Sequence, residues 1–154
     1  MYTRQEASLL NQQFWTSFGS YMAPVLSAEG EKINWVNYKT GIRNIRFTML
    51  ADTRAAKISV VLSHKDAAQQ QLYFDTFLQL KKIFATRVGE DWQWTPLVTD
   101  EHGRTISEIY TRLDAVNVLN KETWPSIISF LKLKLVALDD FWCEYKYAFE
   151  GLDG

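Results

Sequence analysis

The strongest constraint on the fold is a long apolar stripe near the C-terminal end of the sequence. Between Trp124 and Phe149, large apolar side chains recur at alternating steps of four and three residues, which is the spacing of one helix face. The stripe consists of Trp124, Ile128, Leu131, Leu135, Leu138, Trp142, Tyr145 and Phe149. The opposite side carries the charged residues Lys132, Asp139, Lys146 and Glu150. Because this apolar face must be covered, the rest of the chain has to supply a surface that packs against it.

Two further amphipathic helices are predicted earlier in the chain. Thr3 and Glu6 have the spacing of a capping box, in which each side chain satisfies a backbone N–H of the first helical turn. The helix that begins there should end shortly before Pro24, since the residue before proline avoids helical geometry. A second long helix is predicted from about Asp66 to Val88, with Gly89 at its C-terminal cap.

Three strands are predicted between these two helices. Each alternates between apolar and polar residues with a period of two, and short turns at 39–41 and 52–54 separate them. The predicted strands are 32–38, 42–50 and 56–63. Such an arrangement is typical of an antiparallel meander with one face in water.

A later hairpin is predicted before the last helix. Residues 91–98 alternate as a strand does, but Pro96 confines this strand to the edge of a sheet, and residues 105–112 form the return strand. The sequence therefore predicts an α+β fold. In this fold an antiparallel sheet, made of the three-stranded meander and the hairpin, packs against three long amphipathic helices.

Composition indicates one globular domain over residues 1–154. Hydrophobic residues make up 47% of the chain, which is enough for a packed core, yet no apolar run approaches the ~18 residues of a membrane span. The N-terminus is charged where a signal peptide would be apolar, and the single cysteine, Cys143, has no partner for an internal disulfide. We therefore expect a soluble cytoplasmic protein that does not associate with membranes.

The common catalytic signatures are missing from the sequence. There is no glycine-rich phosphate loop and no Gly-x-Ser-x-Gly elbow, and His64 and His102 lack partners at metal-ligand spacing. Aromatic and acidic neighbours on the last helix should raise the pKa of the Cys143 thiol, which disfavours a nucleophilic role. We expect no cofactor, no metal and no catalytic residues.

Charge is segregated along the chain, although the formal net charge is only −1. Basic residues dominate between residues 31 and 60, and acidic residues dominate between residues 90 and 114. A basic strand face with interleaved aromatic rings is one way to bind nucleic acid, although Lys and Arg also keep strands soluble and protect their edges. The candidate binding surface is Trp35, Asn37, Tyr38, Lys39, Arg43, Arg46 and Lys57.

The predicted element order also matches the core order of the restriction-endonuclease-like nucleases. Those enzymes hold Mg²⁺ with an Asp on the second strand and with an acid two residues before a Lys on the third. In this chain Lys57 has Ala55 at the acidic position, and Asp52 falls in a turn. An active nuclease is therefore disfavoured, and a divergent or degenerate relative remains the alternative.

Several segments together resemble the bacterial family known as domain of unknown function 4268. The most distinctive is the run from Asn34 to Gly41, which reads Asn-Trp-x-Asn-Tyr-Lys-Thr-Gly. The others are Gln13-Phe14-Trp15, Phe18-Gly19, Lys32-Ile33, Ile42, Trp124-Pro125, Leu138 and Phe141-Trp142. The resemblance implies a bacterial cytoplasmic protein and supplies no catalytic residues. Some similar domains end longer proteins that contain nuclease-like regions, which hints at a nucleic-acid context.

The leading functional hypothesis is a non-enzymatic binding or interaction module. Its partner is an unidentified protein or a nucleic acid. A third hypothesis is a homodimer formed through aromatic residues of a long helix, since a wide apolar stripe can serve two partners.

Overall fold

A computed structural model describes residues 2–152 and confirms an α+β fold with an antiparallel sheet. The elements in this range are α1 (Arg4–Met22), β1 (Ile45–Ala51), β2 (Ala55–Leu62), α2 (Ala67–Gln79), α3 (Lys81–Arg87), β3 (Gln93–Thr99), β4 (Thr105–Asp114) and α4 (Trp124–Tyr145). Short 3₁₀ turns, Lys121–Thr123 and Lys146–Phe149, flank α4. None of these helices is both long enough and apolar enough to cross a membrane, as judged over the described residues.

The sheet has four antiparallel strands in the order β1-β2-β4-β3, so β1 and β3 form its two edges. The period-two alternation predicted for β1 is confirmed, because Ile45 and Phe47 are buried on one face and Arg46 between them is exposed. In β2 the prediction of one face in water is wrong, because Ser59 and Val61 on the outer face are buried like Val60 on the inner one. Arg46 lies on the other face. Pro96 lies in the edge strand β3, as predicted, beside an irregularity in the pairing between Thr95 and Val98.

The helices cover the inner face of the sheet, and the apolar stripe of α4 forms the centre of the core. Trp142 of α4 is 2% exposed and stacks on Phe77 of α2. Its ring also meets Phe47 of β1 edge-on, with the ring centres 5.8 Å apart. The long C-terminal stripe is therefore buried against both the sheet and a neighbouring helix, as its sequence predicts.

The predicted strand 32–38 is wrong, so the meander has two strands and not three. This segment is irregular apart from an isolated bridge between Leu26 and Lys32. The Asn34 side chain accepts the Asn37 N–H at 3.2 Å, which closes a turn where the strand should continue. Trp35 is buried and donates its indole N–H to the Val25 carbonyl oxygen at 2.9 Å. The alternation of apolar residues therefore reflects docking onto the core and not strand pairing.

The second predicted helix, from Asp66 to Val88, is divided into α2 and α3 at Leu80. Leu80 has φ −98° and ψ 8°, outside helical geometry, and its N–H donates to the carbonyl oxygens of Leu78 and Phe77. The break lets Phe77 pack on Trp142 while Phe84 packs on Trp92. Each half of the predicted helix thereby buries its apolar face in a different part of the core.

Candidate binding site

The segment between α1 and β1, residues 23–44, is held on the surface of α4 by one buried carboxylate. Asp139 of α4 is only 5% exposed. Its Oδ1 accepts the hydroxyl of Tyr38 at 2.6 Å, and its Oδ2 accepts the backbone N–H of Ala28 at 2.7 Å. The prediction that Asp139 lies on the solvated side of the helix is therefore wrong. A buried carboxylate needs hydrogen-bond donors, and this segment provides them.

Tyr38 is held as a neutral hydrogen-bond donor. Burial is the main cause that raises the pKa of its hydroxyl far above the ordinary value, and the hydrogen bond to Asp139 and the negative charge of that carboxylate raise it further. The ring stacks on Phe47 of β1, with the ring centres 4.9 Å apart. Tyr38 therefore connects the carboxylate of α4 to the edge strand of the sheet.

Two indole donors and one hydroxyl fix the rest of the segment. The indole N–H of Trp142 donates to the Thr40 carbonyl oxygen at 2.7 Å. The Thr40 hydroxyl donates to the Ile45 carbonyl oxygen at 2.7 Å, and the turn continues through Gly41 at φ +80°, a conformation that favours glycine. Together with the Trp35–Val25 bond, these contacts place the turn around Asn37 and Tyr38 beside the start of β1.

A pocket of ≈ 310 Å³ lies between this segment and α4. Asp139, Tyr38 and Cys143 line it, and its charged residues are of both signs. Burial, and then the carboxylates of Glu29 and Asp139, raise the pKa of the Cys143 thiol, as the sequence predicts. The thiol is therefore poorly suited to act as a nucleophile at neutral pH.

A second, more open groove of ≈ 380 Å³ runs along the free edge of β1. One side is formed by Trp15 of α1 and by residues 36–38, and Val36 lies close to Gly19 of α1. The other side is formed by Arg46, Phe47, Thr48 and Met49. Successive side chains of a strand point to opposite faces, so four consecutive residues can line one groove only along the edge of the strand. We call this groove the β1-edge groove.

The hydrogen bonds at the two ends of β1 show which backbone groups face this groove. The Asn44 carbonyl oxygen accepts the Ser63 N–H at 2.9 Å, and the Asp52 N–H donates to the Ala55 carbonyl oxygen at 2.9 Å. The even-numbered residues of β1 are therefore the ones whose backbone groups hydrogen-bond to β2. Phe47 and Met49 direct their N–H and C=O groups outward. These four groups have no hydrogen-bond partner among residues 2–152.

The structure brings together only part of the predicted binding surface. Asn37, Tyr38 and Arg46 line the β1-edge groove. Trp35 is 2% exposed and belongs to the core, so its assignment to an exposed binding surface is wrong. Lys39 lines the pocket beside Asp139, and Arg43 is exposed in the turn before β1.

Lys57 lies on the outer face of the sheet and does not line the β1-edge groove. Its Nζ is 2.9 Å from Glu108 Oε2 and 4.4 Å from the centre of the Tyr110 ring. The Ser59 hydroxyl donates to the same carboxylate oxygen at 2.8 Å. Arg46 and Lys57 share this outer face, whereas Tyr38, expected on the same face, stacks on the inward-facing Phe47. Glu108 balances the charge of Lys57.

The described part of the chain contains no three His, Cys, Asp or Glu side chains close enough together to hold a metal ion. His64 is buried against Tyr73, whereas His102 is exposed in the β3–β4 turn. Asp140 and Glu144, one turn apart on α4, both contact the Arg87 guanidinium, at 3.0 and 2.7 Å. These acids form a surface ion-pair network with α3.

Sequence reasoning missed three contributors to this region: Trp15, Met49 and Asp139. Trp15 and Met49 are apolar residues, and nothing in their spacing shows that they border an open groove. For Asp139 a signal exists, since it follows Leu135 by one helical turn and precedes Trp142 by three residues. Its position therefore borders the apolar stripe and predicts contact with the core.

Comparison with known proteins identifies a family. A model of the family described as "Domain of unknown function (DUF4268)" matches residues 10–146. Comparison with curated proteins and with solved structures gives no match. The matched region extends from α1 to the end of α4 and includes both the buried Asp139 and the β1-edge groove. The chain therefore belongs to the domain of unknown function 4268 family, as the sequence resemblance predicts.

Proposed function

We propose that this chain is a non-catalytic binding module, and that the β1-edge groove is the surface by which it holds a protein partner. One observation carries the proposal. Asn37, Tyr38 and Arg46 converge with Trp15 in an open groove whose wall includes unpaired backbone groups of a strand. Aromatic rings, an arginine and free backbone donors and acceptors are the groups that protein interfaces use most.

Charge favours a protein partner over a nucleic acid. Arg46 is the one charged residue among those that line the groove. On the outer face, Lys57 pairs with Glu108, and Arg112 pairs with Asp114 at 2.7 Å. Nucleic-acid binding depends on several cations that are free to neutralise phosphates. Binding of nucleic acid through the outer face stays a prediction, and the divergent-nuclease alternative gains no support from the positions of the acids.

Site-specific photo-crosslinking tests the proposal. A benzophenone amino acid replaces Asn37 in the groove, and a matched variant carries it at Gln79, an exposed position at the end of α2. After irradiation in bacterial cells that express the chain, adducts are separated and treated with either nuclease or protease. The proposal expects protease-sensitive, nuclease-resistant adducts from Asn37 and none of the same mass from Gln79.

Two results would contradict the proposal. Adducts that nuclease removes would show a nucleic-acid partner. Identical adducts from both positions, or none from Asn37, would show that the groove does not hold a specific protein.

A further inference from the structure

We infer that the occupant of the β1-edge groove is an extended acidic segment of the partner protein, which pairs with β1 as a fifth strand of the sheet. The inference rests on the proposed function and specifies the chemistry of the partner. It follows from three features of the groove: the unpaired backbone of β1, the closed ends of that open edge, and the distribution of charge and aromatic rings along it.

The first feature is the exposed backbone. β1 is an edge strand, and the N–H and C=O groups of Phe47 and Met49 point out of the sheet without partners in the described residues. Such a row of donors and acceptors is a template for another extended chain, and proteins use it for strand addition. An aliphatic or helical ligand would leave these groups unpaired. An extended peptide backbone satisfies all of them.

The second feature is that the open edge is short. At its start the Ile45 N–H donates to the Ile42 carbonyl oxygen at 3.3 Å, and the Ile45 carbonyl oxygen accepts the Thr40 hydroxyl. At its far end Ala51 is 3% exposed, and the Asp52 carbonyl oxygen accepts the Val118 N–H at 3.0 Å. Within residues 2–152, Phe47 and Met49 are the outward-facing residues of β1 that line the β1-edge groove. In an antiparallel pair they bond to two residues of the ligand that are two positions apart, so a segment of about five residues suffices.

The third feature is that one side of the groove is basic and the other is aromatic. Arg46 is exposed and makes no ion pair in the part of the chain that the structure describes, and no acid lines the groove. Lys39 and Arg43, just before β1, are also exposed. Trp15 and Tyr38 lie on the side that faces the helices. Side chains of an added strand alternate between these two sides, so the favoured ligand alternates acidic and apolar residues.

A defined peptide probe tests this inference on the full chain. The probe is a fluorescein-labelled peptide of alternating Val and Glu, and its charge-reversed control alternates Val and Lys. A third peptide has the Val-Glu sequence with N-methyl groups on alternate amides, which removes the donors along one edge of the strand. Fluorescence anisotropy measures binding up to about 5 mM peptide, which covers the weak affinity expected of a few backbone hydrogen bonds.

Hydrogen exchange distinguishes strand addition from other modes of binding. The Val-Glu peptide should slow exchange of the Phe47 and Met49 amides, because strand addition places a carbonyl oxygen on each. The Thr48 and Leu50 amides, which face β2, should be unchanged. The N-methylated peptide should neither bind nor protect, and the Val-Lys peptide should bind at least about threefold more weakly.

Two variants separate the backbone contribution from the charge contribution. Met49→Pro removes one outward N–H without breaking a bond to β2 and should weaken binding by about three- to tenfold, whereas Met49→Leu should not. Arg46→Gln should weaken binding of the Val-Glu peptide. It should also remove the difference in affinity between the Val-Glu and Val-Lys peptides. Thermal unfolding checks that each variant is folded. If Met49→Pro is not folded, the comparison of the N-methylated and unmodified peptides on the wild-type chain decides the question.

The inference is overturned if the Val-Glu peptide does not bind, or if it binds without protecting Phe47 and Met49. It is also overturned if the N-methylated peptide binds equally well, or if protection of these amides rises with the concentration of the chain itself, which would show pairing of two copies. Failure here together with protein adducts at position 37 would retain the binding module and remove strand addition. Failure of both experiments would remove the proposed function as well.

Discussion

At the scale of single residues, the Tyr38–Asp139 pair links the irregular segment before β1 to the last helix. The hydrogen bond is 2.6 Å long, and both partners are at least half-buried. Hydrogen bonds to a charged group are stronger than neutral ones, and a buried carboxylate that loses a donor bears a desolvation cost. The pair therefore contributes, with the hydrogen bonds of Trp35, Thr40 and Trp142, to holding Asn37 and Tyr38 beside the edge strand.

Tyr38→Phe tests this role, because it removes the hydroxyl and keeps the ring that stacks on Phe47. We expect the free energy of unfolding to fall by about 1–3 kcal/mol, measured by urea denaturation. Tyr147→Phe, at an exposed tyrosine after α4, is the matched control and should change stability by less than about 0.5 kcal/mol. Equal stability of the two variants would show that the Asp139 contact is not structural.

Asp52, in the turn between β1 and β2, should make the stability of the fold depend on pH. Its Oδ1 accepts the backbone N–H groups of Arg54 and Ala55 at 2.8 and 2.9 Å. The bond from Arg54 is the main cause that lowers the Asp52 pKa below its ordinary value of 3.8. Because the folded-state pKa is the lower one, the stabilisation is complete above the unfolded-state pKa and is lost as the pH falls through the folded-state pKa.

Asp52→Asn keeps an acceptor oxygen but removes the charge. The variant should therefore be less stable than the wild type at pH 7, and the difference should shrink as the pH approaches 2. Urea denaturation at several pH values measures this difference in stability. Asp52→Ala, which loses the acceptor oxygen at every pH, is the reference. If the difference in stability instead grows towards low pH, the fold does not stabilise the ionised form of Asp52.

At the scale of elements, α1 depends on the capping box that its sequence predicts. Thr3 Oγ1 accepts the Glu6 N–H at 3.0 Å, and Glu6 Oε1 accepts the Thr3 N–H at 3.1 Å. Thr3→Ala should lower the free energy of unfolding by about 1 kcal/mol and the melting temperature by about 2–4 °C. Ser17→Ala, at an exposed position within α1, is the control and should not destabilise. A loss in Thr3→Ala that is no larger than in Ser17→Ala would show that the cap does not stabilise α1.

Elements with a local signal were predictable from the sequence. The cap of α1, the alternation in β1 and the edge position of Pro96 each depend on neighbouring residues and are confirmed. Residues 32–38 were not predictable, because their apolar alternation fits a strand as well as a segment that docks on the core. The break at Leu80 has no Gly or Pro to mark it. It follows from where Phe77 and Phe84 pack, which only the tertiary structure determines.

The candidate site was predictable to a similar extent. The excess of basic and aromatic residues between 31 and 60 points to Asn37, Tyr38 and Arg46, which the fold gathers in one groove, and their role in binding stays a prediction. The same excess could not separate Trp35, whose indole N–H is satisfied inside the core, from a surface ring. It also could not show that Lys57 meets Glu108, because that contact depends on the register between β2 and β4.

At the scale of the whole molecule, the fold leaves one edge of the sheet, β1, more open to pairing with a further strand than the other edge, β3. β3 is irregular and contains Pro96, features that discourage pairing at an edge, whereas β1 is regular and has Phe47 and Met49 open. The homodimer through helix aromatics stays a prediction, but Phe141, Trp142 and Phe149 are buried in the core and so do not offer that interface. We therefore propose binding at the edge of β1 and not at the stripe of α4.

Amide hydrogen exchange along β1 in the free protein tests this central claim most directly. We expect an alternation: Thr48 and Leu50, which bond to β2, should exchange at least about 100-fold more slowly than Phe47 and Met49, whose backbone groups face the groove. The inward-facing side chains of Phe47 and Met49 do not disturb the comparison, because exchange reports the backbone. Equal, strong protection of all four amides would show that the edge of β1 is already covered and so cannot receive a partner strand.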